Sequence, residues 1–186
     1  SSSKARANGG TGADFVKGAI YAAKGRKAYA LWGPVWTTWQ SLGQHEGALG
    51  YPVSDRTTAA DGQGELAHFE RGSILRGPGL GTYAVLEPLA PKYRALGYER
   101  SPLGYPNGEL STATDGLGRT GRFHRFQRGV IVESPDVVTA VWGRIYARWM
   151  AEGGPAGPLG FPVSDVVPDA PGFERCDFVN GSITHD

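Results

Sequence analysis

The stretch Leu49-Gly50-Tyr51-Pro52-Val53-Ser54-Asp55 decides the fold, because it returns as Leu103-Gly104-Tyr105-Pro106-Asn107-Gly108-Glu109 and again as Leu159-Gly160-Phe161-Pro162-Val163-Ser164-Asp165. The offsets are 54 and 56 residues, the period of a tandem array rather than of an unrepeated domain. Outward from this loop, residues 29–55, 83–109 and 139–165 align without a gap. Ala30 falls on Ala84 and Ala140, Gly43 on Gly97 and Gly153, and Trp39 on Tyr93 and Trp149. A second motif flanks the first. Phe69-x-x-Gly72-x-Ile74 matches Phe126-x-x-Gly129-x-Ile131, Phe178-x-x-Gly181-x-Ile183 and Phe15-x-x-Gly18-x-Ile20. Four copies of one piece against three of the other mean that the chain opens partway through a repeat, either as a fragment of a longer array or with a first copy that caps it.

Each unit reads as a small sheet followed by one helix. Phe-x-x-Gly-x-Ile predicts two short strands around a tight turn, with glycine supplying the backbone freedom. Tyr29–Leu31, Tyr83–Val85 and Val138–Val141 predict a third strand. In the first copy Trp32, Val35, Trp36, Trp39 and Leu42 form one apolar stripe at helical period. Pro34 suits the first turn of that helix and Gly43 its C-terminal end. Trp142, Ile145, Tyr146 and Trp149 repeat the stripe, and Pro88 and Pro91 confine the middle helix to roughly 89–96. A unit of about 54 residues cannot bury its own apolar face, so neighbours must stack. The expected fold class is α+β: a pseudo-symmetric tandem repeat array of about three full units, each a short β-hairpin and strand plus one helix, in a propeller-like arc or ring. The expected organisation is a linker or disordered tail over 1–12, then a repeat domain over 13–186 with repeats near 13–68, 69–125 and 126–186.

Composition narrows the function. There are 29 glycines in 186 residues, about twice the usual share, and the period places them in turns. Lysine and arginine number 19 against 18 acids, for a net charge of +1, which lacks the basic footprint of a nucleic-acid binder. A single cysteine, Cys176, excludes an internal disulfide and a cysteine-rich metal site, and its strand position predicts inert burial. No apolar run approaches the ~20 residues of a membrane span, and no signal peptide is read at the start.

The loop Leu-Gly-[Tyr/Phe]-Pro-x-[Ser/Gly]-[Asp/Glu] at this period, between Trp-bearing helices and Phe-x-x-Gly-x-Ile hairpins, resembles the LGFP repeat over about residues 13–186. The resemblance implies an exported actinobacterial protein, secreted and cell wall-associated. Such repeats accompany mycolyltransferases and peptidoglycan hydrolases and are thought to hold them to the wall, with arabinogalactan as the polysaccharide. It therefore implies a non-catalytic, carbohydrate-binding anchoring module. The alternative is a protein–protein interaction scaffold for a fused or partner cell-envelope enzyme. The middle copy departs from the pattern: Asn107-Gly108-Glu109 replaces Val-Ser-Asp, and Ala90 stands where the others have Trp36 and Tyr146.

Sugar binding calls for an exposed aromatic face against the C–H face of a ring, with carboxylates, amides and arginine on the hydroxyls. Trp32, Trp36, Trp142 and Tyr146 are the candidate rings. The helix face bearing Trp36 and Tyr146 is either such a platform or core, whereas Trp32 and Trp142 begin their helices, at the rim. Trp39, Tyr93 and Trp149, aromatic in every copy, are expected in the core, as are Phe15, Phe69, Phe126 and Phe178. Asp55, Glu109 and Asp165 either recognise hydroxyls or accept backbone N–H bonds in the loop. Arg71 and Arg128, with Lys17 and Asn180 at the same hairpin position, are either ordinary turn residues or ligand contacts on a repeated surface. Metal and cofactor sites are not expected. Asp61-Gly62-Gln63-Gly64 and Asp115-Gly116-Leu117-Gly118 each carry one carboxylate without the bidentate glutamate of a calcium loop, and the four histidines share no ligand spacing. Catalysis finds no motif: neither a G-x-S-x-G elbow nor a phosphate-cradling glycine loop occurs.

Overall fold

The computed structural model describes residues 4–5 and 9–186. Among them the chain forms three α-helices and four open antiparallel sheets. The first sheet holds β1 (Lys4–Ala5), β2 (Thr11–Phe15), β3 (Gly18–Ala22) and β4 (Tyr29–Trp32), and α1 (Gly33–Ser41) follows. The second holds β5 (Thr57–Thr58), β6 (Glu65–Phe69), β7 (Gly72–Arg76) and β8 (Thr82–Leu86), followed by α2 (Leu89–Leu96). The third holds β9 (Ser111–Thr114), β10 (Thr120–Phe126), β11 (Gly129–Glu133) and β12 (Val138–Trp142), followed by α3 (Gly143–Ala151). The fourth holds β13 (Val167–Pro168), β14 (Glu174–Phe178) and β15 (Gly181–His185). Strands in every sheet pair in chain order. The chain divides into two compact units, residues 1–90 and 91–186.

The expected repeat is present: hairpin, third strand and helix recur in order, and the hairpins close on the pairs Phe15↔Gly18, Phe69↔Gly72, Phe126↔Gly129 and Phe178↔Gly181. The sheets begin one strand earlier than the sequence suggests, with β1, β5, β9 and β13. Of the 1–12 stretch read as a linker, residues 1–3 and 6–8 lie outside the described residues. Lys4–Ala5 pairs with Thr11–Gly12, so the first sheet starts before residue 13. After each helix, Gly43, Gly97 and Gly153 turn left-handed and a 3-10 turn leads into the Leu-Gly-aromatic-Pro loop.

That loop is fastened in the same way three times. Its glycine is left-handed, with φ of 73°, 73° and 69° at Gly50, Gly104 and Gly160, a region that costs other residues roughly 1–2 kcal/mol. The turned-out carbonyl of each glycine accepts a hydrogen bond from the helix aromatic: Trp39 Nε1 at 3.0 Å, Tyr93 Oη at 2.9 Å and Trp149 Nε1 at 3.1 Å. Tyrosine replaces tryptophan in the middle copy because both carry a donor at the tip of a large ring. The three rings are buried, as expected, and each packs on the hairpin phenylalanine that follows: Trp39 on Phe69, Tyr93 on Phe126 and Trp149 on Phe178, with centroids 5.9, 4.6 and 5.5 Å apart. The loop prolines bridge to the same phenylalanines, Pro52↔Phe69, Pro106↔Phe126 and Pro162↔Phe178.

Phe15 corrects the sequence reading. Phe69, Phe126 and Phe178 are buried, but Phe15 is 48% exposed. The burial of the other three comes from the helix ring and loop ahead of each hairpin, and among the described residues nothing of that kind lies ahead of Phe15.

Candidate functional site

Trp32 is the last residue of β4 and the N-cap of α1, where its extended backbone (φ −152°, ψ 168°) turns the ring out of both elements. It is 41% exposed. Two backbone-level bonds bring charged groups to it. Asp55 Oδ1 accepts from the Ala30 amide at 2.8 Å, and the Arg56 amide donates to the Ala30 carbonyl at 2.9 Å. The chain after the loop is thereby laid along β4, and the Arg56 guanidinium comes to rest over the Trp32 ring, 4.9 Å from its centroid. Glu65, at the start of β6, pairs with Arg56 and, at 3.6 Å, with Arg76, its cross-strand partner on β7. Arg56 Nε and Glu65 Oε2 are both buried without a hydrogen-bond partner. The Arg56 guanidinium thus lies over the exposed indole while it pairs with Glu65, and one donor and one acceptor of that ion pair are buried and unsatisfied. Groups of this kind cost free energy unless a ligand or water completes them.

The other predicted residues fall elsewhere. Trp36 is half-buried against the core of its unit, with Nε1 buried and unpartnered. Trp142 and Tyr146 are likewise half-buried, packed against the core of residues 130–183, and Tyr146 lines a small pocket with Phe123, Arg125 and Trp149. Asp165 accepts from the Ala140 amide at 2.8 Å, as Asp55 does from Ala30, and also pairs with Lys92 at 2.8 Å. In these two copies the acid braces the loop against the third strand. Glu109 is exposed, its side chain in no such bond. Arg71 donates through Nε to the Ala48 carbonyl at 2.9 Å and through Nη2 to that of Gly47, while Arg128 donates to Pro102 and Ser101 at 2.9 and 3.1 Å. Asn180 reaches Pro158 at 3.0 Å. The hairpin side chains therefore tie down the carbonyls just ahead of each Leu-Gly loop, although both arginines remain on the surface. A cleft of about 290 Å³ runs beside Asn180, Pro158, Asp115 and Leu117.

Sequence reasoning missed Arg56 and Glu65. Arg56 aligns with Leu110 and Val166, so a search for what the copies share passes over it, and the Trp32–Arg56–Glu65 arrangement belongs to the first copy.

Four features bear on other chemistry. Among the described residues no three His, Cys, Asp or Glu side chains are grouped to hold a metal ion. The carboxylate of Asp115 is a turn brace, accepting from the Leu117 and Arg119 amides at 2.9 Å and from Arg119 Nε at 2.7 Å. Burial pushes its pKa up, but the Arg119 and Leu117 bonds outweigh that and hold it below the usual carboxylate range. Cys176 is buried, and desolvation pushes its thiol up to about 12, the inert state expected of it. No described helix is long and apolar enough to cross a membrane.

No curated protein matches the chain. The family model of the LGFP repeat matches it twice, over residues 49–101 and 103–157. Each match opens on the loop that a helix aromatic fastens through its glycine carbonyl, and together they cover more than half of the sequence, so the chain belongs to the LGFP repeat family.

Proposed function

We propose that this chain is a non-catalytic module that binds neutral cell-wall polysaccharide of the arabinogalactan type, with Trp32 as its stacking ring. The family suggests a cell-wall-associated repeat module. The observation that carries the finer reading is the pairing of the exposed Trp32 with the unpartnered Arg56 Nε and Glu65 Oε2. A sugar ring offers an apolar C–H face to the indole, and each of its hydroxyls both donates and accepts, which suits one orphan donor beside one orphan acceptor. The same proposal makes the protein secreted and wall-associated, in need of no cofactor, and an anchor for a fused catalytic domain. It also has successive units following an arc or ring, propeller-like, for which small-angle scattering would give a maximum dimension well below that of an extended row.

A single site of one ring and two polar groups gives roughly millimolar affinity, ~4 kcal/mol, which a polymer raises by presenting many sugars to arrayed units. The test is retention on delipidated arabinogalactan–peptidoglycan at low and high salt, with soluble oligosaccharides as competitors. Neutral sugars predict retention that changes little with salt, is competed by the oligosaccharides, and is lost in Trp32→Ala and weakened in Glu65→Gln. Retention abolished by moderate salt, or unchanged in both variants, overturns the stacking site. The scaffold alternative is favoured by exposed Phe15 and Ile20 and predicts capture of a protein with no polysaccharide retained.

A further inference from the structure

The third Leu-Gly loop lacks two braces that the first two possess. Glu70 Oε2 accepts from the Tyr51 amide at 3.0 Å, and Gln127 Oε1 accepts from the Tyr105 amide at 2.9 Å. Val179 stands at that position in the third copy and offers no acceptor. Among the described residues the equivalent Phe161 amide has no partner, although Phe161 is only 1% exposed. One residue further on, each arginine bridges two carbonyls. Arg71 donates through Nε to Ala48 and through Nη2 to Gly47, and Arg128 donates in the same way to Pro102 and Ser101. Asn180 is shorter. Its Nδ2 reproduces the first of these bonds, to Pro158, and nothing reproduces the second. The Gly157 carbonyl accepts from the Gly160 amide at 3.2 Å, whereas the Gly47 and Ser101 carbonyls accept from a guanidinium as well as from the corresponding amides.

The smaller side chains also leave room. A Cβ on Gly104 would lie 2.6 Å from Gln127 Oε1 and 3.4 Å from Arg128 Cζ. A Cβ on Gly160 would meet nothing nearer than Val179 Cβ at 3.5 Å and Asn180 Nδ2 at 3.7 Å. Gly157, Pro158, Gly160 and Asn180 line the cleft of about 290 Å³ described above, and Leu117, 72% exposed, adds an apolar surface to its wall. We propose that this cleft binds a ligand carrying a guanidinium beside a carboxylate, the two groups that Arg71 and Glu70 supply in the first copy. The ligand carboxylate accepts from the Phe161 amide. Its guanidinium donates to the Gly157 carbonyl and to Asn180 Oδ1, charge-assisted bonds of the kind Arg71 makes within the chain. Its methylene stem lies on Leu117, as arginine stems do on apolar surface. The cleft belongs to the unit of residues 91–186 and Trp32 to the other unit, so this site stands whether or not the chain retains polysaccharide.

The test is an amide NMR titration of the full chain with acetyl-Glu-Arg-amide and, separately, with L-arginine. Saturable shifts are expected at the Gly157, Gly160, Phe161 and Asn180 amides. The tighter of the two probes identifies the source as a peptide or a free amino acid. Acetyl-Ala-Arg-amide and acetyl-Glu-Ala-amide, which each lack one group, should bind about ten-fold more weakly than the dipeptide. Val179→Glu with Asn180→Arg builds the braces of the first copy into the third. That pair should abolish the shifts and, with no ligand present, slow hydrogen exchange at the Phe161 amide about ten-fold. Asn180→Arg alone changes one exposed side chain, so it should keep the melting temperature while weakening the dipeptide about ten-fold. The absence of saturable shifts with both probes overturns the proposal. So do shifts that survive Asn180→Arg undiminished, and so does binding of acetyl-Ala-Arg-amide as tight as that of the dipeptide.

Discussion

Lowering the pH from 7 to 4.5 should destabilise this protein through one buried ring. His124 lies on β10, opposite Ile131, with only 1% of its surface exposed and its ring 5.3 Å from that of Phe126. It occupies the position that Ala67 and Cys176 hold in neighbouring copies, both fully buried, and its Nε2 has no partner. Desolvation lowers its pKa to about 4. The sign follows from which state binds the proton first. An unfolded histidine titrates near 6.5, so between 6.5 and 4 the unfolded chain is protonated while the folded chain is not. Stability is full above pH 6.5, falls as pH drops through that window, and levels off below pH 4. With these two values the loss between pH 7 and 4.5 is about 2–3 kcal/mol, equivalent to ~5–10 °C in melting temperature for a chain of this size. Urea or thermal unfolding at half-unit pH steps measures it. His124→Leu keeps an apolar side chain of similar size with nothing to protonate, so its stability should be nearly flat over the same window. Parallel pH profiles for the wild type and the variant would refute the reasoning, since the loss would then come from other groups.

Three further outcomes follow from the geometry. Trp149→Phe keeps a ring against Phe178 but leaves the Gly160 carbonyl without its donor, a cost of ~1–2 kcal/mol, whereas Trp149→Ala should cost about 3–5 kcal/mol; urea unfolding separates the two, and equal losses would show that the hydrogen bond contributes nothing. Cys176 should resist a thiol-labelling reagent in the folded protein and react at once in denaturant, because its thiol is buried with a raised pKa; fast labelling of the native chain contradicts this. The depressed pKa of Asp115 contributes stability that is present above pH ~4 and lost as pH falls through its lower folded value. Asp115→Asn should therefore be less stable at pH 7 and lose less on further acidification, which the same titration would show.

The sequence made the repeat and its packing legible because they are copied. Helix aromatics, hairpin phenylalanines, loop glycines and strand periodicity recur at fixed offsets, and each recurrence marks a position where backbone or core geometry admits few side chains. Asp55 and Asp165 became loop braces, one of the two roles the sequence left open for them, and the departure of Glu109 from the motif anticipated its separate behaviour. Besides Arg56 and Glu65, two kinds of feature escaped. The outer strands β1, β5, β9 and β13 are two to four residues long, too short for an alternating pattern to register. Phe15 was misjudged because its burial depends on a neighbour rather than on its own residue type. A phenylalanine in a hairpin looks the same in sequence whether or not a helix ring lies ahead of it.

The same logic separates structure from binding in this array. Residues that recur in the copies are consumed by the fold: the tryptophan or tyrosine donor is spent on a glycine carbonyl, the leucine on a hairpin glycine, and Arg71, Arg128 and Asn180 on carbonyls ahead of the loop. A group that already satisfies a buried partner has little left to offer a ligand, because releasing it exposes an unpaired polar atom at a cost of ~1–3 kcal/mol. Under the proposed function, binding chemistry then comes from positions that the copies do not share. Arg56 is such a position: its equivalents Leu110 and Val166 are apolar, and it lies over an exposed indole, paired with Glu65 through Nη2 but with Nε unbonded. In such an array, the repeat period identifies the scaffold, and departures from it at the rim of the helices are the places to look for the ligand.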